Sequence, residues 1–122
     1  MQRLFALRGA ISVERNDAKD ILEATTELMR EVMSRNALAP DAVVSCIFTA
    51  TNDLNAEFPA VAARALGFED VPLLCAREIA VPRSMPRVIR VLIHYHAEEG
   101  HGPVHVYLGE ARGLREDLRA AQ

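Results

Sequence analysis

Three arginines stand where their local surroundings give them little reason to be: Arg8, Arg64 and Arg90. Arg90 interrupts the run Val88-Ile89-Arg90-Val91-Leu92-Ile93, whose β-branched residues favour a strand in the middle of a sheet. Side chains alternate along a strand, so Ile89, Val91, Ile93 and Tyr95 share one face. Val88, Arg90, Leu92, His94 and His96 share the other. A guanidinium left unpaired among apolar neighbours costs on the order of several kcal/mol, so Arg90 must meet an anion. That anion is either a carboxylate of the protein or a ligand. Arg8 closes a first apolar stretch, on one face with Leu4 and Ala6, although a surface arginine at a strand end is the simpler alternative. Arg64 is the only charge on a short helix of small residues. Set against Glu78, with Cys75 and Tyr107, two or three guanidinium groups leave spare positive charge in a protein whose formal charge is −3. Guanidinium forks match carboxylates in pairs of hydrogen bonds. The residues therefore describe a pocket for a small dianion. It has no evident general base or nucleophile, so chemistry there must rest on positioning and electrostatics.

Other chemistries find less support. His94 and His96 share a strand face, and His101 and His105 follow, but no Asp or Glu joins them in a metal-binding motif. No metal and no cofactor is expected. The chain has no nucleophile elbow and no glycine-rich phosphate loop. A net negative charge argues against nucleic acid as a partner. No segment approaches the ~20 apolar residues that cross a bilayer, and no membrane role is expected. Cys46 and Cys75 both lie in apolar runs, which suits free thiols in a reducing compartment, and a cytoplasmic location is the expectation.

The elements that must position these residues follow from periodicity. Residues 1–122 read as a single domain, half apolar and a quarter charged. Leu4 to Arg8 is a first strand, and Gly9 suits a bulge or a close backbone approach. Asn16 or Asp17 caps a helix to about Arg35, with Ile21, Leu22, Thr25, Leu28, Met29, Val32 and Met33 as its apolar stripe. Asn36 suits the end of that helix. Val43 to Ala50 reads as a strand buried on both faces. Pro59 opens a short helix of small residues that Gly67 ends, thin enough to lie against another subunit. Val71 to Glu78 begins as a strand, in which Cys75 and Glu78 point to opposite faces unless the chain bends between them. Arg87 to His96 and Val104 to Leu108 are the last strands. Residues 110–122, with Leu114 and Leu118 one helical turn apart, read as a marginal helix or a mobile lid.

The motifs Leu7–Glu14 (LRGAISVE), Phe58–Ala60 (FPA) with Arg64, Val71–Glu78 (VPLLCARE), Arg87–Val91 (RVIRV), His105–Leu108 (HVYL) and Leu114–Leu118 (LREDL) occur in this order across nearly the whole chain. In that order and spacing the chain resembles the monofunctional chorismate mutases of the trimeric α/β class. The resemblance implies an α+β domain, with a mixed sheet packed by one long helix and short helices. Three copies would form a pseudo-α/β barrel with active sites at the subunit interfaces. It also implies the cofactor-free Claisen rearrangement of chorismate to prephenate, a step towards phenylalanine and tyrosine. Carried over, the catalytic set is Arg90, Glu78, Arg8 and Cys75. Arg90 would hold a substrate carboxylate and donate to the ether oxygen, Arg8 would bind a carboxylate, and Glu78 with Cys75 would hold the ring hydroxyl. Tyr107, Leu74, Phe58, Arg64 and Arg115 complete the implied substrate contacts. Val61 and Leu74 depart from the lysine and the threonine that some members carry at these positions. Two rival functions fit a similar trimeric scaffold: an enamine/imine deaminase, and a regulatory module that binds a dicarboxylate.

Overall fold

The first strand runs well beyond Arg8. In the computed structural model, which describes residues 1–114, β1 spans Gln2–Ser12. α1 spans Ala18–Arg35 and is capped by Asp17, whose carboxylate accepts from the backbone N–H of Lys19 at 2.8 Å and of Asp20 at 3.4 Å. Those donors have no partner within the helix, and the cap satisfies them. Ile21, Thr25, Leu28, Met29 and Val32 are its buried stripe. Thr25 is tolerated there because its hydroxyl donates to the Ile21 carbonyl at 2.7 Å. Then follow β2 (Val43–Ala50), α2 (Ala60–Ala63), β3 (Leu73–Arg77), β4 (Val88–Glu98) and β5 (Val106–Leu108). α2 loosens into a wider turn over Arg64–Phe68, where Gly67 takes φ 99°, a conformation that favours glycine.

The strands form one mixed sheet in the order β3-β2-β4-β1-β5. β4 lies antiparallel to β1 and β2, whereas β3 runs parallel to β2 and β5 parallel to β1. Leu7, Ile11, Phe48, Ile89, Val91, Ile93 and Val106 form one core with Ile21, Leu28, Met29, Ala60, Ala63 and Phe68 of the helical layer. Gly9 is a close approach and not a bulge. A Cβ there would stand 3.1 Å from Leu28 Cδ1 and 3.3 Å from both Val91 Cγ1 and the Val106 carbonyl oxygen.

Among the described residues, α1 and α2 cover one face only. β2 was expected to be buried on both faces, but only Cys46 and Phe48 are, on the helical side. Ser45, Ile47 and Thr49 are half-buried and Val44 is exposed, because no second layer of the described residues lies over them. At one end of this open face a 3₁₀ turn, Gly109–Arg112, buries Ala111 beside Ala10 and Val88, with Met85, Tyr107 and Leu114 around them. The front of the expected tail is thus packed against the sheet. Arg115 and Leu118 lie outside the described residues.

Because two of the atoms around Gly9 belong to core side chains and one to backbone, there is little room for a branched residue. Gly9→Val is expected to destabilise the fold by about 1–3 kcal/mol, the range for overpacking a well-packed core. Urea unfolding checks this: the midpoint should fall while the slope stays unchanged.

Candidate active site

The register of the sheet lines up residues from all five strands. Tyr107 of β5 pairs with Ala10 of β1, Ala10 with Arg90 of β4, Arg90 with Thr49 of β2, and Thr49 with Ala76 of β3. Paired residues point to the same face, so this is one continuous row across the open face. Ala76 is small and exposed and leaves space beside Thr49 and Arg90, whereas Ala10, between Tyr107 and Arg90, is buried beneath Ala111. The next row is Arg8, Leu92, Ile47 and Leu74. Arg8 and Arg90 are diagonal neighbours on adjacent strands, about 7–8 Å apart at Cα.

Arg90 has a carboxylate partner within the chain. Its Nη1 donates to Oε1 of Glu78, and Oε2 of the same carboxylate accepts from the Thr49 hydroxyl at 2.7 Å. The Glu78 N–H donates to the Ala50 carbonyl at 3.0 Å, so Glu78 extends the β2–β3 ladder by one residue and its side chain turns onto the open face. The Arg90 side chain is 40% exposed and that of Glu78 16%, so the pair is fully closed from neither side. Arg90 was expected among apolar neighbours. It has Leu92 beside it on its own strand, but solvent still reaches it because the described residues put no second layer over it.

Arg8 behaves differently. Its Nη2 donates to the Tyr107 hydroxyl at 3.4 Å, and among the described residues no ion pair engages it. Two guanidinium groups therefore face one carboxylate, and one positive charge is left over. An anion reaching the face between Arg8 and Arg90 finds a net cation, a phenol and unoccupied N–H donors of both forks.

Cys75 does not join them. It pairs with Phe48, so its side chain lies on the helical face and packs partly against the core. The chain does not bend enough between Cys75 and Glu78 to bring the two side chains together, because β3 continues in register to Arg77. Phe58 and Arg64 are exposed on and beside α2, in the helical layer. Leu74 sits on the open face of β3, 60% exposed. Within one chain the expected site residues thus divide into an open-face group (Arg8, Leu74, Glu78, Arg90, Tyr107) and a helical-layer group (Phe58, Arg64, Cys75). Cys46 takes no part: it is buried, and burial pushes its thiol pKa up to about 12, so it carries no thiolate at neutral pH.

The histidines are dispersed. The His94 Nδ1 lies 3.3 Å from the Ser45 hydroxyl, and His101 Nε2 meets the Tyr95 hydroxyl at 2.6 Å and stands edge-on to Phe5. His105 Nδ1 accepts from the Arg8 backbone. Among the described residues no group of three or more His, Cys, Asp or Glu side chains could hold a metal ion. Sequence reasoning missed Thr49, which orients Glu78. The alternation of Ser45, Ile47 and Thr49 against Cys46 and Phe48 was the signal available for Thr49.

Comparison with known proteins finds similar chains along nearly the whole length. A family model described as chorismate mutase type I matches residues 4–118. The chorismate mutase AroH of Thermus thermophilus is 47% identical over 118 residues, which cover 95% of this chain and 97% of that protein. The chorismate mutase AroH of Bacillus subtilis (strain 168) is 37% identical over 114 residues, 92% of this chain and 90% of that one. A solved structure of a chorismate mutase from Clostridium thermocellum superposes with a TM-score of 0.86 and 41% identity, covering 89% of this chain and 98% of the other.

Proposed function

The chain belongs to the type I chorismate mutase family, and from that membership we propose that residues 1–122 form one domain whose open sheet face binds chorismate and rearranges it to prephenate. The observation that carries this reading is the pairing of Arg90 with Glu78 beside an Arg8 that has no ion-pair partner among the described residues, all on one face. Chorismate carries two carboxylates, a ring hydroxyl and the ether bond that breaks. In the rearrangement that C–O bond breaks as a C–C bond forms, and no proton needs to be moved. Negative charge grows on the ether oxygen, and a fixed cation there stabilises the transition state more than the ground state.

Arg90 spends one fork nitrogen on Glu78 and keeps others for a substrate carboxylate and the ether oxygen. Arg8 binds a carboxylate, and Tyr107 adds a donor next to it. Each Glu78 oxygen already accepts one hydrogen bond and has a lone pair left for the ring hydroxyl. Cys75, Phe58 and Arg64 border the substrate from a neighbouring subunit, the backbone at Leu74 borders it from the open face itself, and Arg115 helps to close the site. This assignment is supported by the division of these residues between two sides of one chain. Three subunits in a closed ring bring the helical-layer edge of one against the open face of the next, and they cover Leu92, Ile47 and Leu74. No helix of the described residues is long and apolar enough to cross a membrane. Both cysteines are free, which suits the cytoplasm as the place of action. The deaminase and regulatory-module alternatives have no support from the matched family.

Two experiments test this. Chorismate added to the purified protein should lose its absorbance with time and yield prephenate, and a protein that binds chorismate without consuming it would refute the mutase reading. Subunit mixing then tests the shared site. Arg90→Ala and Arg64→Ala proteins, each weak alone, should regain activity when unfolded and refolded together. Random assembly into cyclic trimers restores both walls at about a quarter of the sites. No recovery in mixed particles, or a fully active monomer in sedimentation, would defeat the interfacial arrangement.

A further inference from the structure

We propose that His105 is a positioning residue for Arg8: its imidazole fixes the backbone from which the substrate-facing guanidinium projects. The inference rests on the reading of Arg8 as a carboxylate anchor. The backbone N–H of Arg8 donates to His105 Nδ1 at 3.0 Å. The main-chain pairing of β1 with β5 begins only one residue later, at Gly9 and Val106. The ring therefore supplies a rung ahead of the ladder, at the residue where the ladder would otherwise have ended. Two residues further along, Tyr107 takes the guanidinium of the same arginine at 3.4 Å. One short strand thus holds Arg8 at both ends, the backbone by His105 and the side chain by Tyr107.

A three-residue strand is a weak anchor unless its approach is fixed, and here it is. Asn36, at the end of α1, is buried, and its amide clamps both main-chain groups of Val104. Nδ2 donates to the Val104 carbonyl at 3.0 Å and Oδ1 accepts from the Val104 N–H at 2.8 Å. The remaining Nδ2 proton goes to the Val32 carbonyl at 2.9 Å, so the amide cannot turn without losing bonds. Since Val104 directly precedes His105, the imidazole is set by the long helix, across a loop that contains Gly100, Gly102 and Pro103. A ring that accepts at Nδ1 carries its proton at Nε2, which makes the role specific to one nitrogen. That specificity separates positioning from bulk or general polarity.

The test compares His105→Leu, His105→Asn and His105→Gln with Arg8→Ala, using chorismate as the probe and the assembled enzyme. Asn places its amide oxygen close to where Nδ1 stands, and Gln reaches past it. We expect KM to rise about five- to tenfold in the Leu and Gln variants, the effect of one lost hydrogen bond, with kcat within about twofold of wild type. The Asn variant should return KM to near the wild-type value. In an Arg8→Ala background His105→Leu should add nothing, since both act on one contact. Because Asn and Gln are both polar and similar in size, their contrast holds even if the Leu variant melts early. Equal KM values for Asn and Gln, or additive effects with Arg8→Ala, would overturn the His105 role while leaving Arg8 as an anchor. An Arg8→Ala enzyme with unchanged KM would instead overturn the anchor reading, and the His105 role with it.

Discussion

A guanidinium on the central strand of a sheet is tolerable only beside an anion, and much of this fold serves to supply one to Arg90. The carboxylate comes from Glu78, two strands away, at the point where β3 ends. It reaches across because Thr49, on the strand between, takes its second oxygen, and because Ala76 leaves the intervening surface low. The pair is thus held by three strands whose order places β2 between β3 and β4. Removing either partner alone would leave a half-buried charge with its counter-charge gone, which costs more than the pair itself contributes. With Arg8 one row away, the single carboxylate is outnumbered, and the surplus charge is what a dianion can use.

The second constraint is that, among the described residues, the helices cover the sheet on one side. Both helices lie over the Phe48 face, and the core is complete there. The other face combines a charged row with an apolar one, and a monomer leaves Leu74 largely in water. Covering that face with further copies buries the apolar row and also dries the charged one, where fixed donors act more strongly on a developing charge. In the proposed trimer, assembly and catalysis draw on the same surface, and the helical-layer group, Phe58, Arg64 and Cys75, serves the open face of a neighbouring copy.

Much of this was legible in the residues. The apolar stripe of α1, its Asp17 cap, and the face shared by Arg90, Leu92 and His94 follow from period and chemistry alone. At Gly9 the residues left a bulge and a close approach open, and the structure shows the close approach. The parts that were not legible are the non-local ones. β2 reads as buried on both sides because its apolar content is the same whether the second cover is a helix of its own chain or another copy. The three-residue spacing of Cys75 and Glu78 puts them on opposite faces of a straight strand; that β3 stays straight, holding register with β2 past Cys75, is what no local spacing encodes. The Asn36 clamp on Val104 joins residues 68 apart, and a C-terminal asparagine on a helix looks the same with or without it.

The central claim is that Arg90 acts through its planar fork on a charge that appears during bond breaking. Arg90→Lys keeps the cation but loses the geometry that serves Glu78, a carboxylate and the ether oxygen at once. Its kcat for chorismate, measured on protein shown by melting and sedimentation to be folded and assembled, should fall by about 10²-fold or more, as when an oxyanion donor is removed. A folded, assembled Arg90→Lys enzyme that turns over chorismate at the wild-type rate would contradict it.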